Sequence, residues 1–224
     1  MTLYCIPTPL GGPLREALPA PAITVIRSIG DFAVENAKSA RAFLGSLDMP
    51  VRELNIMVIG AAKDPLLPLR EKRSLGVLSE AGCPAIADPG AQLVEQAHRE
   101  GFKVVPLVGP SSIVLALMAS GLEGQRFAFC GYLPREVPAR KTRIVELEQR
   151  SRRAQETQIF IETPYRNDTL LNALLETCKA QTRICVAADL TLPNENVTTR
   201  TVEEWRRAKA VIGKRPAVFL LLAD

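Results

Sequence analysis

The chain has 224 residues, 47% of them apolar and 23% charged, enough to bury a substantial core as one large domain or two smaller ones. Its 28 Lys and Arg against 24 Asp and Glu leave a net charge of +4, well short of a strongly basic nucleic-acid-coating composition. One histidine and five scattered cysteines give neither a metal-ligand spacing nor a disulfide framework, so no metal is expected and a reducing, cytoplasmic setting is.

In chain order, Leu3 to Ile6 predicts a first strand and Phe32 to Val34 a second, with a helix from about Ala37 to Leu47. Ile56 to Ile59 and Leu75 to Leu78 are further strands, then come a helix over Ala91 to Glu100 and a strand over Lys103 to Leu107. Ser111 reads as an N-cap for a helix over Ile113 to Ser120, with Gly121 as its stop. Strand-like Phe127 to Cys130 follows, then a basic helix over about Pro138 to Arg153, a strand Gln158 to Ile161 and a helix Asn167 to Lys179. A strand Arg183 to Ala188, a helix Val202 to Ala210 and a buried strand Pro216 to Leu222 close the series. Strands alternating with helices predict an α/β fold with mostly parallel sheet. The boundary is expected near Gly121, giving two α/β domains, 1–121 and 122–224, with a ligand cleft between them. No basic-then-apolar leader opens the chain, and Pro106, Pro110 and Ser111 interrupt its longest apolar stretches, so neither a signal peptide nor a membrane span is expected.

Two loops carry the chemistry. Ser79 to Gly90, Ser-Glu-Ala-Gly-Cys-Pro-Ala-Ile-Ala-Asp-Pro-Gly, follows a buried strand, with Gly82 and Gly90 permitting close backbone approach and Pro84 and Pro89 stiffening the rest. Val108-Gly-Pro-Ser-Ser112 follows the next strand and runs straight into an apolar helix. Backbone-exposed loops at strand C-termini are where open α/β sheets bind small molecules.

With Pro7-Thr-Pro-Leu-Gly11, Gly131-Tyr-Leu-Pro134 and Glu162-Thr-Pro-Tyr-Arg166 added, five motifs stand in one order from end to end. In this the chain resembles the tetrapyrrole (corrin/porphyrin) methylase family of S-adenosylmethionine-dependent methyltransferases. Its nearest likeness is to the branch that methylates ribosomal RNA of the bacterial small subunit at a cytidine 2′-hydroxyl. The resemblance implies S-adenosylmethionine folded in the cleft and held mostly by backbone. It places Pro7, Gly82, Pro84, Ile86, Asp88, Ser111 and Ser112 at the cofactor, with Ile161, Glu162, Ala187, Ala188, Pro216 and Ala217 from the second domain. A homodimer and an RNA substrate are implied too. Where those RNA enzymes carry Glu-Asp-Thr-Arg, this chain has Glu35-Asn-Ala-Lys38, and it is shorter than they are.

Methyl transfer from a sulfonium needs alignment and, for a hydroxyl acceptor, a proton acceptor. Glu35 and Glu80, acidic residues at buried strand ends, are the catalytic candidates. Asp88 serves either the site or as a cap for the helix at Ala91, and Glu162 has Arg166 within pairing reach. His98 reads as part of an exposed helix face. Arg140 to Arg153 carries six bases against Glu146 and Glu148, a surplus equal to that of the whole chain. Arg140, Lys141 and Arg143 are therefore candidate phosphate contacts, the alternative being a solvated charged face. Tyr165 and Arg166 complete the substrate candidates; Tyr132 and Tyr165 stack on a base or the adenine, or are core-edge tyrosines. Two other readings stand beside the RNA enzyme: a small-molecule or tetrapyrrole methyltransferase of the same fold, and a cofactor-binding sensor or scaffold without turnover.

Overall fold

The computed structural model describes residues 1–224, the side chain of Arg15 excepted. They form two compact units, Met1–Ser111 and Ser112–Asp224.

The first unit runs β1 (Thr2–Ile6), α1 (Leu14–Ala17), α2 (Ala20–Arg27), β2 (Asp31–Val34), α3 (Ala37–Ser46), β3 (Asn55–Val58), α4 (Leu67–Arg70), β4 (Leu75–Leu78), α5 (Ala91–Arg99) and β5 (Lys103–Pro106). Its five strands are all parallel, in the order β3-β2-β4-β1-β5. β2 and β4 are buried along their whole length, which is why they read as unbroken apolar runs. Alternate side chains feed two cores. Ile6, Phe32, Val34 and Leu78 pack with Ile26 and Leu44 on one face; Leu3, Ala33, Leu75 and Val77 pack with Leu69, Leu93 and Ala97 on the other. The chain leaves β1 to one side and, after β4, crosses to β5 on its other side. That reversal creates a crevice at the C-terminal ends of β1 and β4. At the opposite end Arg73 binds Asp31 through two nitrogens, at 2.9 and 3.2 Å, and Asn55 adds a third bond at 2.8 Å. Burial pushes the Asp31 carboxyl up, but these bonds and the Arg73 charge hold it below its ordinary value.

The second unit runs α6 (Ser112–Ser120), β6 (Phe127–Tyr132), α7 (Val137–Ala154), β7 (Thr157–Ile161), a 3-10 turn at Pro164–Arg166, α8 (Asn167–Thr177), β8 (Arg183–Ala188), β9 (Asn196–Thr201), α9 (Val202–Ala208) and β10 (Ala217–Leu222). The sheet order is β6-β7-β10-β8-β9, and only β6 and β7 pair in parallel. The expectation of mostly parallel strands therefore holds in the first unit and fails in the second. The cause is β9, a Thr-rich half-exposed strand without an apolar run, which returns from β8 as a hairpin. Residues of α7, α8 and α9 cover one face of this sheet through Ile144, Leu147, Leu170, Leu174 and Trp205, around Phe160 stacked on Phe219. A boundary near Gly121 puts the helix before it in the first domain. In the structure α6 packs against β8, β9 and β10, so it clusters with the second unit, and Gly121 at φ 68° follows its end.

Gly76 sits mid-strand in β4, where a β-carbon would lie 2.7 Å from Ile6 Cδ1 and 2.8 Å from Phe32 Cδ1. Gly76→Ala should therefore destabilise the first unit by about 1–3 kcal/mol through overpacking. Urea unfolding would show this as a lower midpoint; an unchanged midpoint would mean that this layer has slack.

Candidate functional site

The C-terminal ends of β2, β4, β1 and β5 stand side by side, so the segments that follow them meet. Pro7 follows β1, Glu35 follows β2, Ser79 to Gly90 follow β4, and Val108 to Ser111 follow β5. Backbone bonds stitch them together. Thr8 N–H donates to Gly82 O at 2.9 Å and Gly82 N–H returns to Thr8 O at 3.0 Å. The Thr8 hydroxyl, 4% exposed, donates to Ser79 O at 3.4 Å. Cys83 Sγ reaches Pro110 O at 3.4 Å, which ties the third loop in. At Gly109 a β-carbon would run into the Pro7 ring, so only glycine lets these two segments touch.

The loop after β4 is held under strain. Gly82 and Gly90 have φ of 79° and 129°, as their residue type allows, but Ala85 and Ala87 also lie at 66° and 64°. Left-handed alanines are disfavoured, by about 1–2 kcal/mol per residue, and persist where the surroundings enforce them. Nothing in an alanine marks this in the sequence. Asp88 does not cap α5; the N-cap is Gly90, with no side-chain capping bond. What Asp88 does is stand among carboxylates. Burial, then the charge of Glu35, then that of Glu80 raise its carboxyl above the ordinary 3.8, against a lowering hydrogen bond with Ser79. Glu35 is fixed in turn, its Oε2 accepting the Glu80 N–H at 3.2 Å. Asn36 caps α3: its Oδ1 accepts from Lys38 N–H at 2.8 Å and Ser39 N–H at 3.4 Å.

This arrangement suits a small ligand that carries positive charge and hydrogen-bonds to backbone: three carboxylates converge beside strained, backbone-presenting loops. Among the described residues no group of three His, Cys, Asp or Glu is disposed to hold a metal ion. Burial pushes the Cys83 thiol up from its ordinary value. His98 is exposed in the last turn of α5.

In the second unit the expected positions also fall together. Ile161 and Ala187 both pair with Val218, and Ala188 with Ala217, so the end of β7, the end of β8 and the start of β10 form one edge. Pro216 O accepts the Asp189 N–H at 2.9 Å. Glu162 is buried; Oε1 accepts the Thr163 N–H at 2.8 Å and Oε2 lies 3.2 Å from Arg166 Nη2.

The basic helix α7 does not offer its charges as expected. Arg140 is only 4% exposed and its Nη1 donates to Arg135 O at 2.9 Å, which removes it as a surface phosphate contact. Lys141 pairs with Glu176 at 3.4 Å, Arg143 with Glu146 at 3.0 Å and Arg150 with Glu156 at 2.8 Å. Tyr165, by contrast, is 79% exposed, and Lys214 Nζ lies 5.2 Å from its ring centroid. A hollow of about 730 Å³ is lined by α8 and α9. Two of its polar side chains are engaged, Asp168 by Ile212 N–H at 2.7 Å and Arg206 by Leu175 O at 2.9 Å. Sequence reading missed Thr8, Gly109 and Lys214 as contributors. Thr8 and Gly109 lie inside two of the five motifs; Lys214 carries no signal until the loops are folded.

Comparison with known proteins sets this geometry among relatives. The family profile described as Tetrapyrrole (Corrin/Porphyrin) Methylases matches residues 61–205. A protein of Halalkalibacterium halodurans named ribosomal RNA small subunit methyltransferase I is 33% identical over 222 residues, covering 95% of this chain and 73% of its own. Proteins of the same name from Vibrio cholerae and Bacillus subtilis are 32% and 30% identical, over 87% and 95% of this chain and 67% and 72% of theirs. Two solved structures share the fold across 99% of the chain. They are a uroporphyrin-III-C-methyltransferase from Thermus thermophilus, at TM-score 0.58, 20% identity and 94% of its own chain, and the methyltransferase CobJ, at 0.63, 18% and 93%.

Because Asp88 is raised, the folded protein holds its proton more tightly than the unfolded chain does. Stability is then lost as pH climbs from 3.8 through the raised value. Asp88→Asn should unfold at a higher temperature than the parent above that window and at the same temperature below it. Melting curves across pH test this; a pH-independent difference would reject the carboxylate cluster as the cause.

Proposed function

The chain belongs to the tetrapyrrole (corrin/porphyrin) methylases, enzymes that transfer a methyl group from S-adenosylmethionine, and from that membership we propose that it methylates ribosomal RNA at a ribose 2′-hydroxyl. One observation carries the RNA reading: likeness to enzymes named for small-subunit ribosomal RNA extends over 95% of the chain, well beyond the shared family core. The sensor reading is not favoured, since the family and the similar proteins are named as methyltransferases.

The donor, when bound, supplies a methyl group made electrophilic by a positively charged sulfur. The residues proposed to hold it are Pro7, Gly82, Pro84, Ile86 and Asp88, with Ser111 and Ser112. The resemblance adds Ile161, Glu162, Ala187, Ala188, Pro216 and Ala217 as proposed main-chain partners. The stitched loops fix these groups before binding, so little ordering is left to do when the ligand arrives. The carboxylates of Glu35, Glu80 and Asp88 favour a cation over a neutral ligand. Glu35 and Glu80 are proposed to face the acceptor hydroxyl and take its proton as the oxygen attacks carbon. No proton is needed by the departing thioether. The setting proposed is the cytoplasm and the working form a homodimer, which sedimentation would report as twice the 24.4 kDa chain mass.

Calorimetric titration with S-adenosylmethionine and S-adenosylhomocysteine should give micromolar binding, about −8 kcal/mol. Methyl-labelled donor should then mark unmodified small-subunit ribosomal RNA at a ribose. Binding without any label on RNA would reject the substrate; no binding would reject the site. Glu80→Gln should lower kcat about 100-fold or more while leaving S-adenosylhomocysteine affinity within about threefold, the signature of a lost proton acceptor. An unchanged kcat would acquit Glu80. Gly109→Ala, which pushes Pro7 aside, should instead weaken cofactor binding, and parental affinity in that variant would show the contact to be incidental.

A further inference from the structure

Two of the three tyrosines of the chain come to the surface at one end of the second sheet. Tyr132 ends β6 opposite Ile161 of β7, and Tyr165 sits in the 3-10 turn that follows β7. They are 60% and 79% exposed. A tyrosine ordinarily sinks its ring and leaves only the hydroxyl wet, so two rings presented together at adjacent strand ends call for a reason.

The backbone aims them. Gly131, at φ 67°, lies in a shift of register between Phe129 and Tyr132, the kind of irregularity that re-aims a side chain at a strand end. Leu133, 3% exposed, anchors the next position, and the buried Arg140 guanidinium holds the Arg135 carbonyl at 2.9 Å. The segment after Tyr132 is thereby pinned. On the other side, β10 runs antiparallel to β7, so the loop before it returns to the same end and carries Lys214 over the Tyr165 ring at 5.2 Å. Of the acids nearby, Glu162 pairs with Arg166 and Asp189 with Arg215 at 2.5 Å, while Glu136 next to Arg135 is exposed. Lys214 and Arg135 are exposed cations beside exposed rings.

We propose that this end of the second sheet is a stacking platform for unpaired bases of the RNA substrate, with Tyr132 and Tyr165 each receiving a base face and Lys214 and Arg135 the flanking phosphates. The proposal rests on the RNA reading above and adds to it the form of RNA taken. Aromatic faces beside cations accept any splayed base and a polyanionic backbone, whereas a duplex hides its base faces. The substrate nucleotide must then lie in a single-stranded or openable segment. Of the bases on α7, Lys141, Arg143 and Arg150 already pair with acids and Arg140 is buried, so the helix is not the surface proposed here.

The test is fluorescence anisotropy with a labelled single-stranded oligoribonucleotide of about 12 nucleotides and a blunt duplex of the same length, alongside titration with S-adenosylhomocysteine. The parent protein should prefer the single strand. Tyr132→Ala and Tyr165→Ala should each weaken single-strand binding roughly 10-fold with cofactor affinity unchanged, and Tyr165→Phe should restore it. Lys214→Ala should cut the salt dependence by about one phosphate contact. The rings are solvent-facing, so the alanine variants are expected to melt as the parent does. Parental RNA binding by both alanine variants would overturn the platform and leave the RNA reading intact. Loss of cofactor binding in Tyr165→Ala would overturn it by placing that ring at the donor. Equal affinity for single strand and duplex would overturn it as well. A parent that binds S-adenosylhomocysteine but no RNA would remove the RNA reading, and the platform with it.

Discussion

The two backbone hydrogen bonds between Thr8 and Gly82 close the ends of β1 and β4 onto each other, and the site of the first unit is built outward from them. β1 is the strand about which the sheet order reverses, so its C-terminal end already opens a crevice. A crevice alone would leave the twelve residues from Ser79 to Gly90 free to wander. The bridge fixes one end of that loop, and Cys83 against Pro110 fixes it to the segment after β5. With its start clamped, the loop can hold Ala85 and Ala87 in left-handed geometry that a free chain would relax. Strain there is the cost of presenting backbone rather than side chains to a ligand. The close approach of Gly109 to Pro7 is the same economy of space on the far side.

Most of the strands were legible because burial writes itself into sequence. Phe32 to Val34 and Leu75 to Leu78 are apolar without a break, and in the sheet they are covered on both faces. The five motifs were legible for another reason: glycine and proline mark backbone that other residues cannot adopt. Other elements stayed illegible. β9 is half threonine and half exposed, α2 and α4 contain proline, and α1 is a single turn. Missing β9 hid the antiparallel half of the second sheet. In the same way the strained alanines could not be foreseen, since an alanine looks alike in either backbone region.

Charge was the least reliable guide, and the reason is geometric. The surplus on α7 suggested a phosphate-binding face, yet a helix displays its bases in every direction. Three of them find acids on α8, on α7 itself and on the segment before β7, while Arg140 turns inward to a carbonyl. A count of charges along the chain says nothing of these pairings. The acidic cluster shows the converse. Glu35, Glu80 and Asp88 are 45 and 8 residues apart in sequence and form no run, yet the parallel order of β2 and β4 brings them together. Topology concentrates what the sequence scatters.

These opposite outcomes bear on how the two halves divide the chemistry. A carboxylate cluster beside a phosphodiester chain would repel it, by several kcal/mol where water is excluded. A site that must hold a cationic donor and also accept a polyanion therefore needs its acids confined, and the first unit confines them to strand ends bonded to one another. The polyanion is then best gripped elsewhere, by groups whose attraction does not depend on a strong positive field. Exposed rings with one or two cations meet that need, since stacking is indifferent to the acids and the cations are too few to neutralise them. The modest net charge of +4 is thus compatible with an RNA-modifying enzyme: affinity would come from a few placed contacts on the second sheet rather than from a general electrostatic coat.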